Sequence, residues 1–217
     1  MKTLSNIEPN IHLQFFLLLA FIGGFVDACS FMIFQVFTGH LTGNSVLSMI
    51  YISQMDWAML VLSAVSILGF FAGTLAGSWK QIQGTSLSSH TIINTIVLLL
   101  FTIVFTLYFF IPSLYSAKTA LFMISLSMGI QNGYFNKVGG VSIHTTYVTG
   151  MTTSCIGKFL RNENKDGSKK TLAFAVISFI LGALTGGYLS VNYHILGFST
   201  VLILLLITVI YSFRIKL

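Results

Sequence analysis

Six stretches of this chain run for 17 to 24 residues with almost no charged side chain: Ile11–Phe34, Trp57–Trp79, Thr91–Ile111, Thr119–Phe135, Thr171–Leu189 and Ile195–Phe213. About 20 apolar helical residues cross the hydrocarbon core of a bilayer, so each stretch reads as a membrane span. Composition agrees. Charged residues are only 7% of the 217, against about a quarter in soluble domains, and the mean hydropathy is +0.89. The net charge of +6 is not arranged as a basic run interleaved with aromatics, so nucleic acid is not the expected partner. Basic residues near membrane ends orient a chain in the bilayer, and that is the reading adopted. The start of the chain resembles an export signal, but Asp27 fits poorly beside a cleavage site at Val26–Cys29. Ile11–Phe34 is therefore read as a retained first span.

Two further segments are too short to cross. Ser45–Gln54 follows Thr42-Gly43-Asn44, and Val148–Leu160 carries Thr149-Gly150-Met151 at its start. At 1.5 Å per residue they reach roughly half to two thirds of the way through the bilayer. The longest polar stretch, Arg161–Lys170, is a loop with no sign of a separate domain, so 1–217 is one membrane domain.

The chain reads as internally duplicated, with a first repeat over 11–112 and a second over 119–213. Gly24-Phe25-Val26-Asp27 matches Gly129-Ile130-Gln131-Asn132, Thr42-Gly43-Asn44 matches Thr149-Gly150-Met151, and Gly73-x-x-x-Gly77 matches Gly182-x-x-x-Gly186. The separations are 105, 107 and 109 positions, in chain order. If the short segments dip in and return, each half has three spans and the second half is inverted. If they cross, there are eight spans and the halves are parallel. Both schemes put the N-terminus, the Arg161–Lys170 loop and Arg214/Lys216 on one side, taken as cytoplasmic. The six-span scheme puts Lys80 and Lys137 inside and Lys118 outside, and is preferred. The expected fold is thus all-α: about six transmembrane helices plus two short re-entrant helices, built as an inverted duplication.

Gly24–Asp27, the stretch Thr38-Gly39-His40-Leu41-Thr42-Gly43-Asn44 and the stretch Gly129-Ile130-Gln131-Asn132-Gly133 resemble the YoaK family of bacterial membrane proteins, defined by a domain of unknown function. The resemblance covers essentially the whole chain. It implies a multi-pass protein of the bacterial cytoplasmic membrane, and it brings no substrate with it. Asn44 has no counterpart at Met151, so the half-sites need not be equivalent.

Asp27 is the most informative residue. It lies about sixteen residues into the first span, where a carboxylate costs several kcal/mol unless paired, hydrated or protonated. Intramembrane acids mark ion and proton sites, so Asp27 is a candidate proton or cation site facing Asn132 of the second half. The structural alternative is a hydrogen bond from Asp27 to Asn132 or Gln131 that locks the bundle. Thr42 or Asn44 can cap the first short helix, and Thr149 or Thr152 the second. A helix starting inside the membrane offers free N–H groups and a positive dipole end to a polar ligand, as in transporters with broken helices. An ordinary surface cap explains the same residues equally well. His40 and His144 flank these elements as proton-relay or ligand candidates, or as interfacial residues without a role. Lys137 is read as an orienting charge. The two glycine pairs permit close backbone approach, inside the protein or between copies in a homo-oligomer through Gly73/Gly77 or Gly182/Gly186.

Cys29 and Cys155 are read as packing residues, and no metal or cofactor pattern is expected. The leading functional reading is a small-solute secondary transporter or channel, proton-coupled through Asp27, with the bilayer and a small polar solute as partners. The rivals are a membrane-embedded enzyme on a lipid-like substrate, weakened by the lack of a nucleophile–base constellation, and a non-catalytic structural or regulatory membrane protein.

Overall fold

The structure is a computed structural model and describes residues 9–84, 86–138, 141–142, 146, 148–161 and 168–214. It is helical throughout: α1 (Pro9–Phe34), α2 (Leu41–Ser53), α3 (Trp57–Ile82), α4 (Leu87–Phe110), α5 (Ala117–Tyr134), α6 (Val148–Leu160), α7 (Ser168–Ser199) and α8 (Val201–Arg214). The exceptions are a 3-10 turn at Pro112–Leu114 and a two-residue antiparallel pairing of Lys137–Val138 with Val141–Ser142. Four segments are long and apolar enough to cross a membrane: Leu13–Phe34, Trp57–Ile82, Ser89–Phe110 and Lys169–Ser199.

Side-chain caps and reversals explain the boundaries. The Asp56 carboxylate accepts from Met59 N at 3.1 Å at the start of α3, and Ser86 Oγ accepts from Ser89 N at 3.1 Å at the start of α4. Gln35 (φ 56°), Met55 (φ 55°) and His194 (φ 50°) hold the left-handed backbone that turns a chain out of a helix. His194 breaks α7, which reverses there: Gly197 lies against the Leu189 carbonyl eight residues back. In a continuous helix eight residues would stand about 12 Å apart.

The helices pair by direct backbone contact. On α3, the Cα faces of Gly69, Gly73 and Gly77 lie against the carbonyl oxygens of Phe122, Leu126 and Ile130 on α5. On α7, Gly182 and Gly186 lie against those of Phe21 and Phe25 on α1. Residue numbers rise together across both interfaces, so α1 runs parallel to α7 and α3 parallel to α5. The remaining contacts are antiparallel. Gln131 Nε2 donates to Leu19 O at 3.2 Å and the Phe15 and Phe135 rings lie 5.3 Å apart, which sets α5 against α1. His90 meets Tyr134 and Tyr108 meets Tyr115, which sets α4 against α5. Asn94 Nδ2 donates to Ser212 Oγ at 3.2 Å and Phe105 meets Phe198, which sets the segment after the His194 break against α4. So α1, α4 and α7 point one way, and α3, α5 and α8 the other.

The apolar core lies where α1, α4, α5 and α8 meet, with Leu19, Ile22, Phe101, Leu121, Met128 and Leu205 fully buried. Large apolar side chains also remain on the outside, among them Leu68, Phe71 and Leu75 on α3 and Leu181, Leu184 and Tyr188 on α7. A surface this apolar requires a non-aqueous surrounding. The expected glycine contacts are made inside the chain; a second copy would find both faces already covered.

This packing generates a paired prediction on one helix. Gly182→Ala, whose Cβ would strike the Phe21 carbonyl, should destabilise the protein by about 1–3 kcal/mol or more. Gly187→Ala, with nothing within 4 Å, should be neutral or slightly stabilising. Thermal unfolding in detergent compares the two.

Candidate functional site

Asp27 is only 4% exposed and sits on the last two turns of α1. Its Oδ1 accepts from the backbone amides of Thr38 at 3.1 Å and Gly39 at 2.6 Å. One turn on, Ser30 Oγ and Thr38 Oγ1 are 2.9 Å apart. After the Gln35 reversal the chain therefore returns along α1 to the level of Asp27 before α2 begins. The carboxylate binds the loop following its own helix, so the bond from Asp27 to Asn132 or Gln131 offered as the structural alternative is not made. Gln131 is instead buried and reaches Leu19.

Asn44 holds the same loop from the other side. Its Oδ1 accepts from Phe37 N at 2.9 Å, and its Nδ2 donates to Phe37 O at 2.7 Å and Ser66 Oγ at 3.0 Å. Ser66 Oγ is 2.7 Å from Ser125 Oγ, and Ser48 Oγ is 2.8 Å from Ser63 Oγ. Residues 44 and 48 thus face 66 and 63, so α2 runs antiparallel to α3 and its first turn is level with the middle of α3.

The capping role expected of Thr42 and Asn44 is corrected here. Helix α2 begins at Leu41, the cap position falls to His40, and His40 makes no side-chain capping bond. Thr42 lies exposed on α2, beside a shallow groove of about 450 Å³ formed with Ser45, Val46, Met49, Ile50 and Ser53. His40 is half-buried, its ring 5.5 Å from Phe37. Thr149 lies exposed inside α6, its carbonyl accepting from Thr153 Oγ1, and Thr152 is half-buried. His144 lies outside the described residues, and of Lys137 only the backbone is described.

The structure adds residues that the sequence did not single out. Ser48, Ser63, Ser66 and Ser125 form the polar seam between α2, α3 and α5; their signal was a serine at positions 63 and 66 within an apolar run. Thr146, 2% exposed, brings its Cβ and Cγ2 within 3.2 Å of the Cβ position of Gly39, which itself lies 3.2 Å from Asp27 Oδ1. Asp27 Oδ2 and Asn132 Oδ1 are among the buried side-chain oxygens that have no hydrogen-bond partner. Cys29 is buried and its thiol donates to Gly186 O at 3.3 Å, a packing role. Among the described residues no group of three His, Cys, Asp or Glu gathers to hold a metal.

Asn44→Ala should orphan the Phe37 amide and destabilise the protein by about 1–3 kcal/mol. Faster hydrogen exchange at residues 36–40, with α4 unaffected, would report loss of that anchor.

Residues 15–212 match the family described as protein of unknown function, DUF1275. The chain is similar to the UPF0700 transmembrane protein YoaK of Bacillus subtilis, with 25% identity over 181 residues, 77% of this chain and 79% of that protein. No solved structure matches.

Proposed function

The chain belongs to the DUF1275 family, and we propose that this membrane protein is a small-solute secondary transporter or channel built as an inverted repeat, with Asp27 as its coupling residue. The observation that carries the reading is the equivalence of the two glycine interfaces. Gly73 meets Leu126 as Gly182 meets Phe21; Gly77 meets Ile130 as Gly186 meets Phe25. In return, Gly129 meets Phe70 and Thr74 as Gly24 meets Phe179 and Ala183. Every partner is carried onto its counterpart by the separations of 105 and 109 positions that the motifs already have.

The helix directions support inversion. Taken in chain order, α1, α3, α4, α5, α7 and α8 alternate in direction, which suits six crossings with α2 and α6 entering and leaving on one side each. Transporters of inverted-repeat design place their sites at the repeat interface, beside broken helices. Here each tight pair joins the first helix of one repeat to the third of the other. Backbones in contact leave no soft side-chain layer within a pair, so movement belongs between pairs, at the side-chain contacts of α1 with α5. The loop held by Asp27 crosses from one pair to the other. The basic residues near both ends favour N- and C-termini on the cytoplasmic side of a bacterial inner membrane.

A structural reading competes on one observation: the two amide bonds to Asp27 Oδ1 are what a residue that only fixes a loop would make. Asp27→Asn separates the two, since the amide oxygen still accepts from Thr38 and Gly39 while the titration is lost. The variant should stay monodisperse in detergent and lose the pH dependence of solute exchange, measured with a metabolite mixture in proteoliposomes. Aggregation of the variant, or an unchanged pH profile, would return Asp27 to a structural role.

The crossing pattern is tested separately. Single cysteines at Lys80 and Lys118, in a background without Cys29 and Cys155, should be labelled from opposite sides of the membrane, position 80 from the cytoplasm. Position 80 labelled from outside and 118 from inside would require eight crossings and a parallel repeat.

A further inference from the structure

Residues 36–39 carry the backbone from the end of α1 into α2, and their polar groups are divided between the two tight pairs. Toward α1, the amides of Thr38 and Gly39 donate to Asp27 Oδ1, and Thr38 Oγ1 is 2.9 Å from Ser30 Oγ. Toward α2 and α3, Phe37 N donates to Asn44 Oδ1, and Phe37 O accepts from Asn44 Nδ2 and Ser66 Oγ. The Tyr51 hydroxyl of α2 also donates to Gln35 O at 2.7 Å. Phe37 and Thr38 are neighbours in the chain, yet they are bonded to different bodies. Any separation of the pairs at this level breaks one set of bonds or the other.

The opposite end of the same seam, where α1 meets α5, is closed by rings. Phe15 and Phe16 lie 5.3 and 6.1 Å from Phe135, His90 lies 5.6 Å from Phe135, and Tyr211 stacks on Phe15 at 6.3 Å. The register of Leu19 with Gln131 and Phe15 with Phe135 brings Ser30 level with Ala120, two small side chains. At that level α1 is covered by the loop: Thr38 lies against Ser30, and Ser30, Val36 and Thr38 are all buried.

We propose that residues 36–39 are a strap closing this end of the seam, and that it opens by leaving α1 together with α2 and α3, uncovering Asp27. This deepens the transporter reading and rests on it for the step from opening to exchange.

Opening here trades hydrogen bonds for bonds to water, whereas parting the rings at the other end bares apolar surface. The strap stays with α2 because it runs directly into that helix, which holds both the amide and the carbonyl of Phe37. Helix α2 is tied in turn to α3, with Ser48 Oγ 2.8 Å from Ser63 Oγ. Gln35, left-handed at φ 56°, stands between α1 and the strap and is the point where the backbone turns. The stacked rings of Phe31 and Phe37, 4.7 Å apart and both half-buried, part in the same movement.

The test uses the full chain with Cys29 and Cys155 replaced. Ser30→Cys lies behind the strap, and Ala20→Cys lies one turn from Phe16; both positions are 0% exposed. In detergent, a small water-soluble methanethiosulfonate should modify position 30 roughly tenfold or more faster than position 20. In Ser30→Cys/Thr38→Cys, oxidation ties the strap to α1. Solute exchange in proteoliposomes should then fall by roughly tenfold or more and return with reductant. In Ser48→Cys/Ser63→Cys, oxidation joins helices that move together, so exchange should match that of the same protein reduced. Equal thiol rates at positions 30 and 20, undiminished exchange after oxidising the 30/38 pair, or loss of exchange on oxidising the 48/63 pair would overturn the strap. Undiminished exchange with the strap tied would leave the transporter reading standing. A reactive position 30 without exchange by the unmodified protein would support the strap and count against transport.

Discussion

Backbone contact between helices, with no side chain interposed, is the constraint on which the other features depend. Between α1 and α7, and again between α3 and α5, a carbonyl oxygen of one helix occupies the space where a side chain of the other would start. In lipid the hydrophobic effect does not press helices together, so close packing must supply the association energy, and glycine permits the closest approach. The same contacts fix register, because a slip by one residue replaces a glycine with a side chain. They also decide which elements are rigid relative to one another, and so where any movement must be found.

The second constraint is the accounting of polar groups along the return from α1 to α2. Backbone that is neither helix nor strand exposes amides and carbonyls, and inside a membrane protein each needs a partner. Asp27 takes the amides of Thr38 and Gly39, Asn44 takes both the amide and the carbonyl of Phe37, and Ser66 takes that carbonyl a second time. A short helix can start beside the middle of α3 only because these side chains replace water. The residues that read as functional in the sequence are therefore also the ones that make the broken helix feasible. What distinguishes Asp27 from Asn44 is the oxygen left over.

Apolar run length made the long helices legible. The expected starts of the second span at Trp57 and of the short helix at Val148 coincide with those observed, and the division between Leu189 and Ile195 anticipated the break at His194. Cap positions were not legible. Thr42, Asn44 and Thr149 are good cap formers by type, but helix α2 starts at Leu41, four residues before the expected Ser45, after a loop held by a carboxylate eleven positions upstream of Thr38. A local pattern carries no information about such a bond. The serine seam escaped for a related reason: Ser63 and Ser66 are small enough to leave an apolar run apolar, and their importance appears only when Asn44 is brought against them.

The departures from equivalence are as informative as the matches. In the proposed repeat Asp27 corresponds to Asn132, Asn44 to Met151 and Thr74 to Ala183. Asn44 and Met151 are both buried, yet only Asn44 has donors and acceptors with which to hold a loop. The first short helix is thus tied by side chains to the chain before it, and the corresponding side chain on the second packs by shape alone. A frame with two equivalent halves binds a symmetric ligand most readily. Replacing one carboxylate by an amide, and one amide by a thioether, leaves a buried carboxylate in the first half that has no charged counterpart in the second. That charge sits on α1 and is hydrogen-bonded to the loop joining the two rigid pairs. Asp27→Asn removes that charge while its amide oxygen can still accept from Thr38 and Gly39, so the charge and the loop-holding bonds are separable at one position.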